Sequence, residues 1–184
     1  MRPGGLLERL LREPMTIIAS LPRNDPALAR AAEAGGADAL KVHIHLRHRA
    51  SGTAFGSLAQ ERAALAAILA GATVPVGIVP GDGEAFASAR EVEELSRMGF
   101  AFVDAYVAHL RTDLLGRAGL EVVAAVGPGT PQDEVAALHR LPFVHAIEAS
   151  IVEPSGYGSP LTLEDLARYH RIAAAGPKPV VVPS

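Results

Sequence analysis

The sequence predicts an α/β fold of the (β/α)8 TIM-barrel type, and three observations carry that prediction. Short runs rich in Val, Ile and Ala alternate along the chain with amphipathic segments of helical period, which is the pattern of parallel strands joined by right-handed crossovers. Gly or Pro stands at the joints between them. The unit recurs about seven times with a repeat of roughly 20 to 30 residues, more than most open sheets hold and close to the barrel repeat. An eight-unit barrel ordinarily takes roughly 200 residues or more, and this chain has 184. The expectation is one domain over residues 1–184, opened by an N-terminal helix and cut short after about seven strands, with the last β/α unit outside the chain.

Each element has a local reason. Residues 6–12 form a short amphipathic helix that stops before Pro14. Residues 16–21 make the first strand, and Asp25 caps the helix behind it, with Pro26 in its favoured first position and Gly35 closing it. Residues 41–45 are the second strand. Ser57 and Gln60 form a capping box for a helix ending at Gly71. Residues 74–79 are the third strand, followed by a helix from about Glu84 to Gly99, and residues 100–107 are the fourth. A weakly helical stretch over 112–119 leads to the fifth strand at 122–126. Thr130 and Asp133 cap a helix reaching about His139, and residues 144–151 are the sixth strand. Thr162 begins the last helix, which ends at Gly176, and 180–182 is the seventh strand. No low-complexity segment or interdomain linker interrupts the series.

Composition narrows the functional classes. Hydrophobic residues make up 49% of the chain, with no Trp, so the core is built of aliphatic side chains. A net charge of −3 gives no electrostatic case for nucleic acid or an anionic membrane. The absence of cysteine excludes disulfides and thiolate chemistry and fits a cytoplasmic location. The charged N-terminus is no signal peptide, and the most apolar window, 65–79, is interrupted by Gly71, Pro75 and Gly77, so no membrane span is expected.

Strand parity selects the candidate site. One parity of each barrel strand faces the helices and is apolar, while the other faces the axis, where polar groups gather at the C-terminal mouth. The second strand puts Val42, Ile44 and Leu46 outward and Lys41, His43 and His45 inward. The fourth puts Phe102, Asp104 and Tyr106 inward, and the sixth Ala146, Glu148 and Ser150. The third and fifth carry no ionisable inward group. Inward side chains stack in layers drawn from alternate strands, so Lys41, His43, Asp104, Tyr106 and Glu148 are expected to converge as catalytic residues. A desolvated Lys41 suits a Schiff base or general base, whereas a carboxylate beside it keeps it cationic for binding an anion; the two acids favour the second role. His43 and His45 are the candidate metal ligands, in an HxH pattern that Asp104 or Glu148 could complete. The main reading requires no cofactor, and a divalent metal is compatible with it. His109, His139, His145 and His170 read as surface or packing residues.

The rim supplies a candidate phosphate site. Ser155, Gly156 and Gly158 lie between the sixth strand and a helix start, where backbone amides cradle anions. Arg47, Arg49, Ser51 and Gly52, after the second strand, add donors. No Rossmann or P-loop spacing is present.

With these residues in view, the architecture resembles the phosphate-binding barrel superfamily. The segments Glu33-Ala34-Gly35-Gly36-Ala37-Asp38 and Glu93-Glu94-Leu95-Ser96-Arg97-Met98-Gly99, with Asp104, are similar to N-acetylmannosamine-6-phosphate 2-epimerases, although that family's lysine on strand three is replaced here by the run Gly77-Ile78-Val79-Pro80-Gly81. Ala146-Ile147-Glu148 followed by Ser155-Gly156 resembles geranylgeranylglyceryl-phosphate synthases, which use a Glu on that strand and a Ser-Gly phosphate loop. The resemblance implies an isomerase, epimerase or lyase acting on a small phosphorylated, sugar- or polyol-like substrate by acid–base chemistry. Prenyl transfer to a glycerol-type phosphate is the alternative, and a metal-dependent hydrolase or a non-catalytic ligand-binding barrel are others. The expected partner is the small substrate, with a homo-oligomer compatible and no nucleic acid or membrane.

Overall fold

Side chains at the helix starts set where the chain turns. In the computed structural model, which describes residues 5–183 except 49, 113, 114, 116–119, 154, 155 and 157, Asp25 accepts the amide of Ala27 to start α2 (Pro26–Ala34). Reciprocal capping boxes start α3 (Leu58–Gly71) from Ser57 and Gln60, α4 (Ala89–Met98) from Ser88 and Glu91, and α6 (Leu163–Ala174) from Thr162 and Asp165. Gly99, in the left-handed region at φ 104°, closes α4. The first helix, α1 (Leu6–Arg12), has no cap of its own; the carboxylate of Glu121, far away in sequence, accepts the Leu7 amide at 3.0 Å instead.

Between the helices run β1 (Ile18–Ser20), β2 (Ala39–His43), β3 (Val76–Val79), β4 (Phe102–Tyr106), β5 (Glu121–Val126), β6 (Ala146–Ala149) and β7 (Val180–Val181), with α5 (Gln132–Arg140) between β5 and β6. Each strand pairs in parallel with the next, in sequence order from β1 to β7. The sheet is strongly curled. Four inter-strand spacings of about 4.8 Å would put β2 and β6 roughly 19 Å apart in a flat sheet, yet Lys41 on β2 bonds Glu148 on β6 at 2.5 Å. Only curvature that carries both inward faces around one axis allows that contact.

The core has an outer and an inner part. Outward residues such as Leu40, Val42, Ile78, Val103 and Ile147 pack under the helices. Inside, at the end of the barrel remote from the mouth, Leu6 of α1 plugs the axis against Ala39, Phe102, Val123 and Ala146. The Phe102 ring occupies the volume that a side chain on Gly77 would need. That packing accounts for glycine at the first inward position of β3.

Four local expectations are corrected. The second strand ends at His43, because His45 turns into the left-handed region at φ 57° and its amide donates to the Gly56 carbonyl. The helix expected from Glu84 begins at Ala89, after a single 3-10 turn at Gly83–Ala85, because the capping box lies at Ser88. Thr130 does not cap α5: its hydroxyl accepts the Gly127 amide, and Pro131 stands at the cap. The sixth strand is shorter, ending at Ala149. Most of the stretch 112–119 lies outside the described residues.

Candidate active site

Lys41 is the middle inward residue of β2, and its ammonium sits between two acids. Nζ lies 2.8 Å from Asp104 Oδ2 on β4 and 2.5 Å from Glu148 Oε2 on β6. The three side chains are only 14%, 5% and 11% exposed. Burial by itself pulls the lysine pKa down, but the negative charge of Asp104 and then Glu148 outweighs it and holds Lys41 above its ordinary value. The carboxyls divide. Burial, with Glu148 beside it, raises Asp104 well above the usual range against the pull of Lys41. Burial pushes Glu148 the same way, but Lys41 and a hydrogen bond with Asp104 bring it below its ordinary value. The site therefore favours the cationic form of Lys41 and the ionised form of Glu148, while Asp104 holds a proton more tightly than an ordinary aspartate.

This triad forms part of the wall of a cavity of about 960 Å³ that is also lined by the edge strands β1 and β7 and by residues such as Leu10 and Met15 ahead of β1. Tyr106 and Ser150, the next inward residues on β4 and after β6, also line it, and their hydroxyls are 2.9 Å apart. His43 lines it one layer above Lys41 and is nearly buried. Burial, reinforced by His48 and Lys41, takes His43 down to about 3 against a backbone interaction with Leu21, so its imidazole is neutral. Asn24 fixes that segment: its amide nitrogen donates to the His43 carbonyl at 2.7 Å, and its amide oxygen accepts the His43 N–H at 3.2 Å. A second bond from Asn24 to Glu61, 2.9 Å, braces the clamp from α3.

No protein-family model and no curated protein matches the chain. Solved structures do match. A tryptophan synthase α-subunit from Pyrococcus furiosus superposes with a TM-score of 0.70 at 15% identity, over 91% of this chain and 77% of the other. The N-acetylmannosamine-6-phosphate 2-epimerase from Clostridium perfringens gives 0.60 at 13% identity, over 99% and 80%. Dihydropteroate synthase from Thermus thermophilus, in complex with 4-aminobenzoate, gives 0.59 at 19% identity, over 92% and 73%. The chain folds as a TIM barrel. Among the described residues the barrel shows seven strands, with β1 and β7 at the two edges, and no described helix is long and apolar enough to cross a membrane.

The barrel brings Lys41, His43, Asp104, Tyr106 and Glu148 to one mouth, but it separates the two histidines proposed as metal ligands. His45, turned by its positive φ, places Nε2 3.2 Å from Glu91 on α4 instead of beside His43. Among the described residues no three metal-ligating side chains converge. The rim donors are also divided. Arg47 lines the cavity, whereas Ser51, Gly52, Gly156 and Gly158 do not. The N–H groups of Ser51, Gly52 and Gly156 are engaged within their own loops, on His48 Nδ1, the His48 carbonyl and the Glu153 carbonyl. Arg49 and Ser155 lie outside the described residues. His109 pairs with Asp82, His139 is buried against the Ile172 carbonyl, and His145 accepts the Val122 amide, so these three serve packing. Reading the sequence missed Ser20, Asn24 and His48. Ser20 had a usable signal, since it ends the first strand on the same inward parity as Ile18.

Proposed function

We propose that the protein is an enzyme that moves a proton next to a carbonyl group of a small, phosphorylated, polyol-like metabolite. The observation that carries this reading is the buried contact of one ammonium with two carboxyls, one held above and one below its ordinary pKa, at a large cavity. Glu148 takes the proton from carbon as an ionised base. Lys41 stabilises the negative charge that develops on the substrate oxygen, and Asp104 holds a proton close to both. The hydroxyls of Tyr106 and Ser150 suit a substrate rich in hydroxyl groups. Arg47 at the rim is the cavity-lining cation available for a phosphate. The fold shared with barrels that include an epimerase for a sugar phosphate supports the reaction class by analogy.

The test is isotopic. The protein is incubated in D₂O with a panel of triose, pentose, hexose and N-acetylhexosamine phosphates, and deuterium entry at carbon is followed by mass spectrometry and NMR. At least one member should exchange, and Glu148→Gln, which keeps shape but not basicity, should slow that exchange by roughly 10²–10⁴-fold. Exchange that is equally fast in Glu148→Gln would remove Glu148 from the chemistry. A second reading, prenyl transfer, rests on the other flank of the cavity, where Leu10, Met15, Ile17, Ile18 and Val180 present apolar surface. It is favoured if the panel is inert and a prenyl diphosphate with glycerol phosphate yields product.

A further inference from the structure

A second polar cluster stands at the mouth, on the β1 side of Lys41. Ser20 ends β1, in register with Lys41, and is exposed to the cavity. Its Oγ lies 3.3 Å from His43 Nε2 and 3.4 Å from His48 Nε2. His48 is fixed from behind: its Nδ1 accepts the backbone N–H of Ser51 at 3.3 Å and lies 2.8 Å from the Ser51 hydroxyl. Its ring is tilted by 49° against that of His43, with centroids 4.6 Å apart, and Phe55 packs against both, 4.8 Å from His43 and 6.3 Å from His48.

These contacts determine where the protons sit. An imidazole nitrogen that accepts a backbone N–H carries no proton of its own, and the other nitrogen of the neutral ring must then be the donor. His48 is therefore the Nε2–H tautomer and donates to Ser20 Oγ. Ser20 has one proton, which goes to the remaining partner, His43 Nε2. His43 then carries its own proton on Nδ1, which is buried with no hydrogen-bond partner. The chain runs in one direction, from His48 through Ser20 to His43, and Ser20 is the member exposed to the cavity.

We propose that Ser20 is the second proton-transfer group of the site, supplied from solvent through His48. The inference rests on the acid–base reading above and adds its other half. Glu148 removes a proton from carbon, leaving an enolate held by Lys41. The Ser20 hydroxyl turns from His43 to the substrate and gives its proton to the enolate. The Nε2–H of His48 passes to Ser20 Oγ as His48 Nδ1 releases the Ser51 N–H and takes the proton of the Ser51 hydroxyl, 2.8 Å away, which solvent replaces. The substrate has then lost one proton and gained one. The proton on Glu148 returns to water when product leaves, and His48 recovers its tautomer by losing the Nδ1 proton as Nε2 is refilled. His43, neutral and buried, is a positioning residue that fixes the hydroxyl between turnovers.

Two measurements test this, and one needs no substrate. Imidazole ¹⁵N NMR of the whole protein at neutral pH should show His48 protonated at Nε2 and His43 at Nδ1. The opposite tautomer at His48 would break the chain and overturn the proposal. In D₂O with the sugar phosphate that exchanges fastest, Ser20→Ala should lower product formation by at least about 10²-fold. Deuterium exchange should fall much less, so that the ratio of exchange to product rises, and Ser20→Thr should restore it. A Ser20→Ala variant in which exchange and product formation fall together, or not at all, refutes the role. If the wild-type protein exchanges nothing across the panel, the Glu148 reading fails by itself, and the tautomers still decide whether the relay exists.

Discussion

Replacing Lys41 with Met keeps the length of the side chain and removes the charge that holds the triad together. Lys41 and its partners are all well under a third exposed, so the discount applied to surface ion pairs does not apply here. At an effective dielectric constant near 20, a charge pair at this separation attracts by roughly 7 kcal/mol before the cost of dehydrating both ions is subtracted. Breaking a buried pair from one side typically costs about 3–5 kcal/mol, and that is the expected loss at pH 7. The pH dependence identifies the cause. Without Lys41, burial raises the folded-state pKa of Glu148 above its unfolded value of 4.5, opposed only by the hydrogen bond with Asp104. The folded variant then binds more protons than its unfolded chain, and its stability falls as pH rises, by up to about 1.4 kcal/mol per pH unit for one proton. The deficit against wild type should accordingly be smaller at pH 5 than at pH 7. Adding Glu148→Gln to Lys41→Met removes the stranded charge and should recover most of the loss. Urea melts of the three proteins at both pH values provide the assay. A deficit under about 1 kcal/mol that is the same at both pH values is the signature of a solvated surface pair, and it would refute the buried triad.

Two further perturbations probe the layers above and below. His43, held neutral with a folded pKa of about 3, must take up a proton when the chain unfolds below about pH 6.5; its folded pKa is depressed, so stability is lost as pH falls through that window. His43→Gln should flatten the stability–pH curve between pH 6.5 and 5 by up to about 1.4 kcal/mol per pH unit, and an unchanged slope would mean that the imidazole protonates in place. At the closed end, Gly77→Ala sets a methyl group into the Phe102 ring, an overpacking expected to cost about 1–3 kcal/mol. Phe102→Leu made in the same chain should relieve part of it in a double-mutant cycle, and strict additivity of the two changes would show that the residues do not meet.

Much of this site was legible because barrel parity is a local property. Asp104 and Glu148 are each the one carboxyl on an inward parity otherwise made of Phe, Tyr, Ala and Ser, and period-two counting finds such residues without a structure. The Nζ–carboxylate distances were not legible, since they depend on curvature summed over four strand pairs. His45 shows where the counting stops. Its parity matched Lys41 and His43, but the Gly56 carbonyl captures its amide and Glu91 its ring, and both partners lie beyond the reach of a strand pattern. The loop donors failed for a related reason. Gly-rich stretches offer N–H groups to an anion only when the loop does not use them to fold, and those of Gly52 and Gly156 are so used.

The division between the two ends of the barrel connects the packing to the chemistry. Leu6, Phe102, Val123 and Ala146 keep water from the closed end of the axis, so the layer above them works at low polarity on at least one side. Low polarity penalises two adjacent carboxylates, which raises the proton affinity of Asp104. Lys41 opposes that rise, and its charge holds Glu148 below its ordinary value. The two acids are thus shifted in opposite directions because an apolar plug and one cation act together. A change at Leu6 or Phe102 that admitted water would shift the proton balance of Asp104 and Glu148 without touching either residue.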